Sequence, residues 1–231
     1  MTPLLLVGAA LLALAVLATI AGVALLWPAR TKRAEPPQTR LDAAVPEWQF
    51  AEFHSTRILA SPERVEAAID AVTAGEIRGF RLLTWIRNPR WPGSRQKPSI
   101  LAPPADRPIL AVATSAGFIE LSRVPGEIVV GTLVIAPTGK VPQPPPAPGV
   151  EAFAALTAPG YAKAAMNFHW QEDGRGRMRL STTTRIVATS PGARRRFAAY
   201  WRLIYPGSAF LRRTWLAAIR RRAEAAEHLS R

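Results

Sequence analysis

The sequence predicts an α+β protein with an N-terminal transmembrane helix, followed by an antiparallel sheet that packs on a long C-terminal helix. Three observations predict this arrangement. Residues 2–29 contain no charged side chain, residues 162–188 alternate as two strands around an Asp-Gly turn, and a long helical pattern begins at Ser190-Pro191. Residues 49–231 number 183, which is enough for one well-filled core.

Composition excludes several classes of protein. The 231-residue chain has no cysteine, which excludes a disulfide framework, a thiolate metal site and a Cys nucleophile. Hydrophobic residues make up 48%, which excludes global disorder. The net charge of +14 makes nucleic-acid binding a hypothesis, although most of the basic residues are Arg and this excess is compatible with genomic base composition.

The first 29 residues are interpreted as a membrane anchor. The apolar run 4–27 would span about 36 Å as a helix, and Arg30, Lys32 and Arg33 follow it directly. A cleaved signal peptide is the alternative, but the apolar core is long and no basic residue precedes it. The three cations are expected at the membrane surface, which predicts a single-pass protein of the cell membrane with its domain on the cytoplasmic side.

The remaining chain divides into a linker and one domain. Residues 30–48 contain Pro36, Pro37 and Pro46 among mixed charges and are interpreted as a linker. The domain is predicted over residues 49–227, with a Pro-rich loop at 137–149. That loop is interpreted as a rigid surface segment; the alternative is a ligand for a Pro-recognising module.

The first half of the domain is predicted to alternate strands with short helices. A strand over 50–60 precedes a helix that begins at Ser61-Pro62, and Thr73-Ala-Gly-Glu76 has the spacing of a capping box for a second short helix. Residues 87–108 are predicted to form a loop. Strands are then predicted over 109–115, 117–124 and 127–136, the last two joined by a turn at Pro125-Gly126.

The second half consists of a hairpin and the long helix. In the hairpin, one face is predicted to be packed: Ala164, Met166, Phe168, Trp170, Met178, Leu180, Thr182, Thr184 and Ile186. The other face is predicted to be wet: Lys163, Asn167, His169, Arg179, Thr183 and Arg185. An apolar stripe on the helix includes Phe197, Trp201, Tyr205 and Trp215, and Pro206 should kink or split it.

This order of elements resembles the helix-grip superfamily of START lipid-transfer domains, aromatase/cyclases and the birch-pollen allergen (SRPBCC). Five stretches within residues 50–224 carry the resemblance: Ala60-Ser-Pro-Glu63, Pro159-Gly-Tyr-Ala-Lys-Ala-Ala-Met-Asn-Phe168, Leu180-Ser-Thr-Thr-Thr-Arg185, Arg196-Phe-Ala-Ala-Tyr-Trp-Arg-Leu-Ile204 and residues 211–224. The local sequence is similar to a bacterial branch of this superfamily, from which the predicted membrane anchor, the long basic loop and the Pro-rich loop are departures. The resemblance implies that a curved sheet grips the helix around an apolar cavity. Such cavities typically bind lipids, sterols or polyketides.

Motifs for cofactors and catalysis are absent from the sequence. His54, His169 and His228 lack paired metal-ligand spacing, and no nucleotide-binding or nucleophile-elbow motif occurs, so we expect no metal and no cofactor. His54 and Glu52 share a strand face and could form a pair, but nothing nearby in the sequence completes an acid–base set. Glu120 is the other acidic candidate for an enzymatic site.

The predicted site is therefore a hydrophobic cavity between sheet and helix. Its expected lining is Phe168, Trp170, Leu180, Thr182, Thr184, Ile186, Trp201 and Tyr205. Simple core packing by the same residues is the alternative, since periodicity does not reveal voids.

Function is predicted as binding, or binding and transfer, of a hydrophobic small molecule or lipid by a membrane-anchored domain. The alternatives are a cyclase or dehydratase and a ligand-free interaction module. Residues 190–231 carry ten Arg and two Glu, and this charge favours an anionic membrane surface or a solvated face over nucleic acid.

Overall fold

The computed structural model describes residues 16, 30–87, 105–135, 149–174 and 176–228. It confirms an α+β fold with a five-stranded antiparallel sheet and a long C-terminal helix. None of the helices in this part of the chain combines the length and the apolar character needed to cross a membrane. The predicted span 1–29, apart from Val16, and residues 137–148 of the predicted Pro-rich loop lie outside the described residues.

Seven strands and six helices are assigned within the described residues. The strands are β1 Lys32–Arg33, β2 Glu47–Trp48, β3 Phe50–Ile58, β4 Ile119–Val124, β5 Glu127–Ile135, β6 Ala162–Glu172 and β7 Met178–Ala188. The helices are α1 Arg40–Ala44, α2 Pro62–Ala71, α3 Phe80–Arg87, α4 Ile109–Ser115, α5 Val150–Ala155 and α6 Pro191–His228. The main sheet has the order β3-β7-β6-β5-β4 with every pair antiparallel, and β1 and β2 form a separate ribbon.

One face of the sheet packs against α2, α4 and α6, and we call it the inner face. Its largest apolar cluster joins Val65 and Ile69 of α2 to Phe168, Leu180 and other strand residues. The helical spacing predicted for α2 is confirmed, and Pro62 occupies its first turn. Helix α6 has 38 residues, about 57 Å, and continues through Pro206 without splitting.

The opposite face, which we call the outer face, is covered as well. Helices α1 and α5 bring Leu41, Val150 and Phe153 onto Val129 and Ala165 of the sheet. The expectation of a wet outer face is therefore wrong over much of the sheet: Lys163 is 4% exposed and Asn167 is 3% exposed. The segment 30–48, expected to be a linker, supplies α1 and part of this layer, because its short apolar stretch is buried against the sheet.

The prediction of a strand over 109–115 is also wrong, because these residues form α4. A short apolar run fits a buried helix as well as a strand. Here Ile109, Leu110 and Val112 are buried, and the hydroxyls of Thr114 and Ser115 donate back to the Ala111 carbonyl. The capping-box pattern at residues 73–76 closes a tight turn, with Glu76 accepting from the backbone and side chain of Thr73, and α3 begins only at Phe80.

Candidate functional site

Polar residues interrupt the apolar inner face at its centre. The strand register forms two rows across the sheet. The first row runs Glu52, Thr184, Met166 and Val130, and the second runs His54, Thr182, Phe168 and Ile128. On α6, Ser208, Arg212 and Trp215 lie over these rows and contact Glu52, Met166 and Phe168 respectively. We call their polar members the inner polar cluster: Glu52, His54, Thr182, Thr184, Ser208 and Arg212.

Apolar clusters lie on both sides of the inner polar cluster. Toward the start of α6, Phe50 packs on Phe197 with their ring centroids 5.0 Å apart. Toward its end, Trp215 packs edge-on against Phe168, with centroids 5.1 Å apart. Along the interface between the sheet and α6, the side chains are therefore apolar on both sides and polar at the centre.

Glu52 is the most deeply enclosed charge of the cluster. Its side chain is 1% exposed. One carboxylate oxygen, Oε2, accepts from the Ser208 hydroxyl at 2.7 Å, and the other, Oε1, lies 2.7 Å from Nε2 of His54. Two direct partners thus hold both oxygens of a carboxylate that would otherwise be costly to bury.

His54 links Glu52 to the surface. Its side chain is 10% exposed, and its Nδ1 accepts from Nε of Arg213 at 3.4 Å. Because a guanidinium only donates, this contact assigns the proton to Nε2, which donates to Glu52. The pair predicted from the shared strand face is therefore formed. Ser208 bonds to the carboxylate and not to the imidazole, so the three side chains are not arranged as a nucleophilic triad.

The side chain of Arg212 lies between α6 and the sheet, where its hydrogen-bond acceptor is a sulfur atom. Its Nη1 donates to the Met166 sulfur at 2.6 Å, and its guanidinium carbon lies 5.5 Å from the centre of the Trp215 ring. The residue is partly buried while its guanidinium is desolvated. Burial lowers the pKa of Arg212, and the charge of Glu52 opposes that shift. No carboxylate among the described residues lies within ion-pairing distance of it.

Two further polar atoms of the inner face have no hydrogen-bond partner. They are Oγ1 of Thr182 and Nε1 of Trp215, and both atoms are buried. Phe168 connects them, because it pairs with Thr182 across the strands and packs on the Trp215 ring. Buried hydroxyl and indole groups are normally hydrogen-bonded, so these atoms are vacant donors on the same sheet–helix interface as Arg212.

The structure distributes the eight predicted cavity residues over this face. Phe168, Trp170 and Leu180 belong to the cluster near Trp215, whereas Ile186 and Trp201 belong to the cluster near Phe197. Thr182 and Thr184 lie between the two, in the inner polar cluster. Tyr205 is 41% exposed and packs against the edge of Trp201, which places it at the rim.

Two concavities of the described surface lie elsewhere. The larger, about 840 Å³, is an open groove at the end of the β6–β7 hairpin, between Arg57, Asp173 and Arg177. The smaller, about 290 Å³, lies on the outer face between α1 and the strands, beside Phe53, His169 and Arg185. The predicted lining residues contribute to neither of them.

The other singled-out residues lie apart from the inner polar cluster. Glu120 is held in an exposed ion pair with Arg123 at 2.9 Å. His169 faces the outer side of the sheet, and the side chain of His228 lies outside the described part. Arg30, Lys32 and Arg33 are exposed. In the described ranges no group of His, Asp and Glu is arranged to hold a metal ion.

Sequence reasoning missed Ser208 and Arg212, although a signal for them exists. They occupy the same helix face as Trp201 and Trp215, at spacings of seven and three residues. Strand alternation likewise places Glu52 and His54 between Phe50 and Ile58. Polar residues that recur on an otherwise apolar face of two facing elements predict a buried polar cluster.

Comparisons with known proteins leave the function open. No family model matches the chain, and no curated protein matches it. Among solved structures, the crystal structure of TTHA0849 from Thermus thermophilus is similar at 12% identity, with a TM-score of 0.30 over 77% of this chain and 99% of that chain. The functional assignment therefore depends on the chain's own residues.

Proposed function

We propose that this chain is a membrane-anchored protein of the helix-grip type that binds a hydrophobic small molecule or lipid carrying an acidic head group. The ligand would lie between the sheet and α6, and the domain would face the cytoplasm. The order of elements supports the helix-grip interpretation, because a five-stranded antiparallel sheet packs on a long C-terminal helix with α2 following the first long strand. The uncharged N-terminal segment and its basic flank support the anchor.

The single observation that carries the proposal is Arg212. A desolvated guanidinium offers five donors, and its hydrogen-bond acceptor among the described residues is a thioether sulfur. A carboxylate or phosphate can accept two parallel hydrogen bonds from such a group, which is the strongest pairing available to it. The vacant donors of Thr182 and Trp215 would add hydrogen bonds to the same head group.

The apolar clusters on either side would hold the rest of the ligand. Phe168, Leu180 and Trp215 form one wall, and Phe50 and Phe197 form the other. Entry requires α6 to move from the sheet. Pro206 lacks a backbone donor and lies two residues before Ser208, so it weakens the helix beside the inner polar cluster.

The experiment compares a dansyl-labelled undecanoic acid with its methyl ester, using the full chain in phosphatidylcholine nanodiscs. Binding is measured as energy transfer from the tryptophans, with empty nanodiscs as background. Arg212→Met should weaken binding of the acid by about 10- to 100-fold, the equivalent of one charge-assisted hydrogen bond of ~1.5–3 kcal/mol. The ester, which lacks the negative charge, should be affected far less.

Arg220→Met is the matched control, because Arg220 lies on the same helix and is exposed. It should bind the acid like the unaltered chain. Equal acid binding by the two variants would contradict the assignment of Arg212 to the head group. Thr182→Val provides an independent variant that removes only the vacant hydroxyl.

A second use of the same cluster is acid–base catalysis, as in a cyclase or dehydratase. The observation that favours it is the hydrogen bond between Glu52 and His54, which orients an imidazole toward the interface. Mass spectrometry of a hydrophobic ligand recovered from the purified chain distinguishes binding from catalysis. If the chain only binds, the ligand is recovered unchanged. If it catalyses, the recovered product has lost water or closed a ring.

A further inference from the structure

We propose that the exposed side of α6 docks flat on an anionic membrane surface. We call it the outward face of α6, and it comprises Arg195, Arg196, Leu203, Phe210, Arg220 and Arg221. These residues recur every two or three helical turns, so they share one side of the helix, and all of them are exposed. The inference rests on the membrane anchor of the proposed function and adds a second, reversible contact with the bilayer.

Large apolar side chains stand in the middle of this face. Leu203 is 79% exposed and Phe210 is 48% exposed, and Leu82 on the neighbouring helix α3 is 61% exposed. The two helices are adjacent there, since a Cβ on Gly207 would lie 3.7 Å from Leu83 and one on Gly79 would meet Phe210. Clustered exposed side chains of this size are typical of a surface that meets a partner or a membrane.

Arginines stand on both sides of these apolar residues. Residues 191–223 contain no acidic side chain, and the first one in the helix is Glu224. Each Arg near an anionic leaflet contributes about 1 kcal/mol. Arg220 already lies 3.9 Å from Glu224, so the other three arginines of the outward face favour docking by ~3 kcal/mol, or roughly 150-fold. Basic residues beside apolar ones on one face are the pattern of an interfacial helix.

Thr31, near the start of the range 30–87, lies close to the beginning of α6. The Gln49 side chain donates to Thr31 at 3.4 Å and accepts from the Ala188 backbone at 2.7 Å. Ala188 ends β7, and α6 begins at Pro191. Thr31 therefore lies near the first turn of α6, and an anchor preceding Arg30 would hold that end of the helix close to the bilayer.

Charge alone would suit nucleic acid equally well, but the apolar residues favour lipid. Phosphate contacts need basic and polar groups, whereas Leu203 and Phe210 would find no apolar partner along a phosphate backbone. In a bilayer they enter the boundary between head groups and acyl chains, where burial of apolar area stabilises docking.

The absence of cysteine allows a direct test with single-site labels. Leu203→Cys and Phe210→Cys are each labelled with the fluorophore NBD in the full chain and placed in nanodiscs of phosphatidylcholine with or without phosphatidylglycerol. Phe53→Cys is the matched control, because Phe53 is 54% exposed and faces the outer side of the sheet. Emission wavelength and quenching by the neutral quencher acrylamide are recorded.

Labels at 203 and 210 should shift to shorter wavelength and become protected in phosphatidylglycerol, while the label at 53 stays exposed. Adding Arg195→Gln and Arg196→Gln should lower the ratio of docked to free domain about 30-fold, which corresponds to ~1 kcal/mol for each charge. Equal quenching at all three sites would overturn the proposal. Protection produced by duplex DNA in detergent, and not by anionic lipid, would also overturn it in favour of nucleic acid.

Failure of docking is distinguishable from failure of the proposed function. The acid probe reports on Arg212 in phosphatidylcholine nanodiscs, which lack the anionic lipid that docking needs. A chain that binds the acid but leaves its 203 and 210 labels exposed would retain the proposed function without the docking surface. A chain that protects its 203 and 210 labels but does not bind the acid would support the docking surface and contradict the ligand site.

Discussion

Asp42→Ala tests whether the segment expected to be a linker is an essential layer of the fold. Asp42 lies in α1, and its carboxylate accepts from the backbone of Gln38 and Thr39 at 2.6 and 2.7 Å. It also pairs with Arg185 of the sheet at 2.6 Å, where the side chains of Asp42 and Arg185 are 6% and 13% exposed. The substitution therefore removes a helix cap and leaves a nearly buried guanidinium without its carboxylate.

The expected loss is about 3–5 kcal/mol, which is typical of breaking a buried ion pair by removing one partner. Part of the charge of Arg185 stays compensated, because it also donates to the Val45 carbonyl and lies 3.8 Å from the centre of the Trp48 ring. The free energy of unfolding is measured on the full chain in a non-ionic detergent, by guanidinium titration followed through tryptophan fluorescence. Trp48 reports directly on this contact.

Asp70→Ala is the matched control, since Asp70 pairs with Arg123 at 3.0 Å but is 46% exposed. It should cost less than about 1 kcal/mol. If Asp42→Ala lowers the free energy of unfolding by less than about 0.5 kcal/mol, the loss is that of an ordinary surface substitution. This result would refute the reasoning and indicate that residues 30–48 act as a linker.

The pH dependence of the free energy of unfolding tests the same contact between Asp42 and Arg185. Burial alone would raise the pKa of Asp42, but hydrogen bonds from Gln38 and Thr39 and the charge of Arg185 outweigh it and lower the pKa from 3.8. Because the folded pKa is depressed, the stabilisation is complete above the unfolded pKa and is lost as the pH falls through the folded value. Asp42→Ala should flatten that acid loss.

Two further predictions concern the outer layer. Burial lowers the pKa of Lys163 from 10.5 to about 8. Between these pH values the folded state binds fewer protons than the unfolded state, so the free energy of unfolding should rise with pH. Lys163→Met should abolish this rise, and an unchanged dependence of stability on pH would contradict the prediction. Gly131→Ala places a methyl carbon 2.7 Å from Leu121 and 2.9 Å from Phe153 and should cost about 1–3 kcal/mol, whereas Gly192→Ala meets nothing within 4 Å and should be neutral by thermal unfolding.

Local patterns in the sequence predicted much of the sheet and two of the helices on its inner face, α2 and α6. The hairpin of β6 and β7, the turn at Pro125-Gly126, the start of α2 at Pro62 and the apolar stripe of α6 all occur as expected. Each depends on periodicity or on turn residues that act within a few positions. The Glu52–His54 pair followed from the same alternation, because its two members lie on one strand.

Features that depend on contacts between distant segments were missed. Nothing local in residues 40–45 indicates that Glu127 will accept from the backbone of Arg40, 87 positions away. The same holds for Lys163, whose ammonium group donates to the carbonyls of Phe153 and Ala154 at the end of α5. An alternating strand with Lys and Asn on one face is typical of a wet surface, and tertiary packing overrides it here.

The two faces of the sheet treat their buried polar groups differently, and this contrast supports a ligand on the inner face. On the outer face, Asn167 donates to Glu127 at 2.7 Å and accepts from Thr183 at 2.9 Å. The buried side chains of Asn167 and Glu127 are thus satisfied by the fold itself, as structural groups should be. On the inner face, Thr182 and Trp215 lack partners and Arg212 meets a sulfur. Polar side chains left incomplete at the centre of an apolar interface reduce stability, and the proposed acidic head group would complete them.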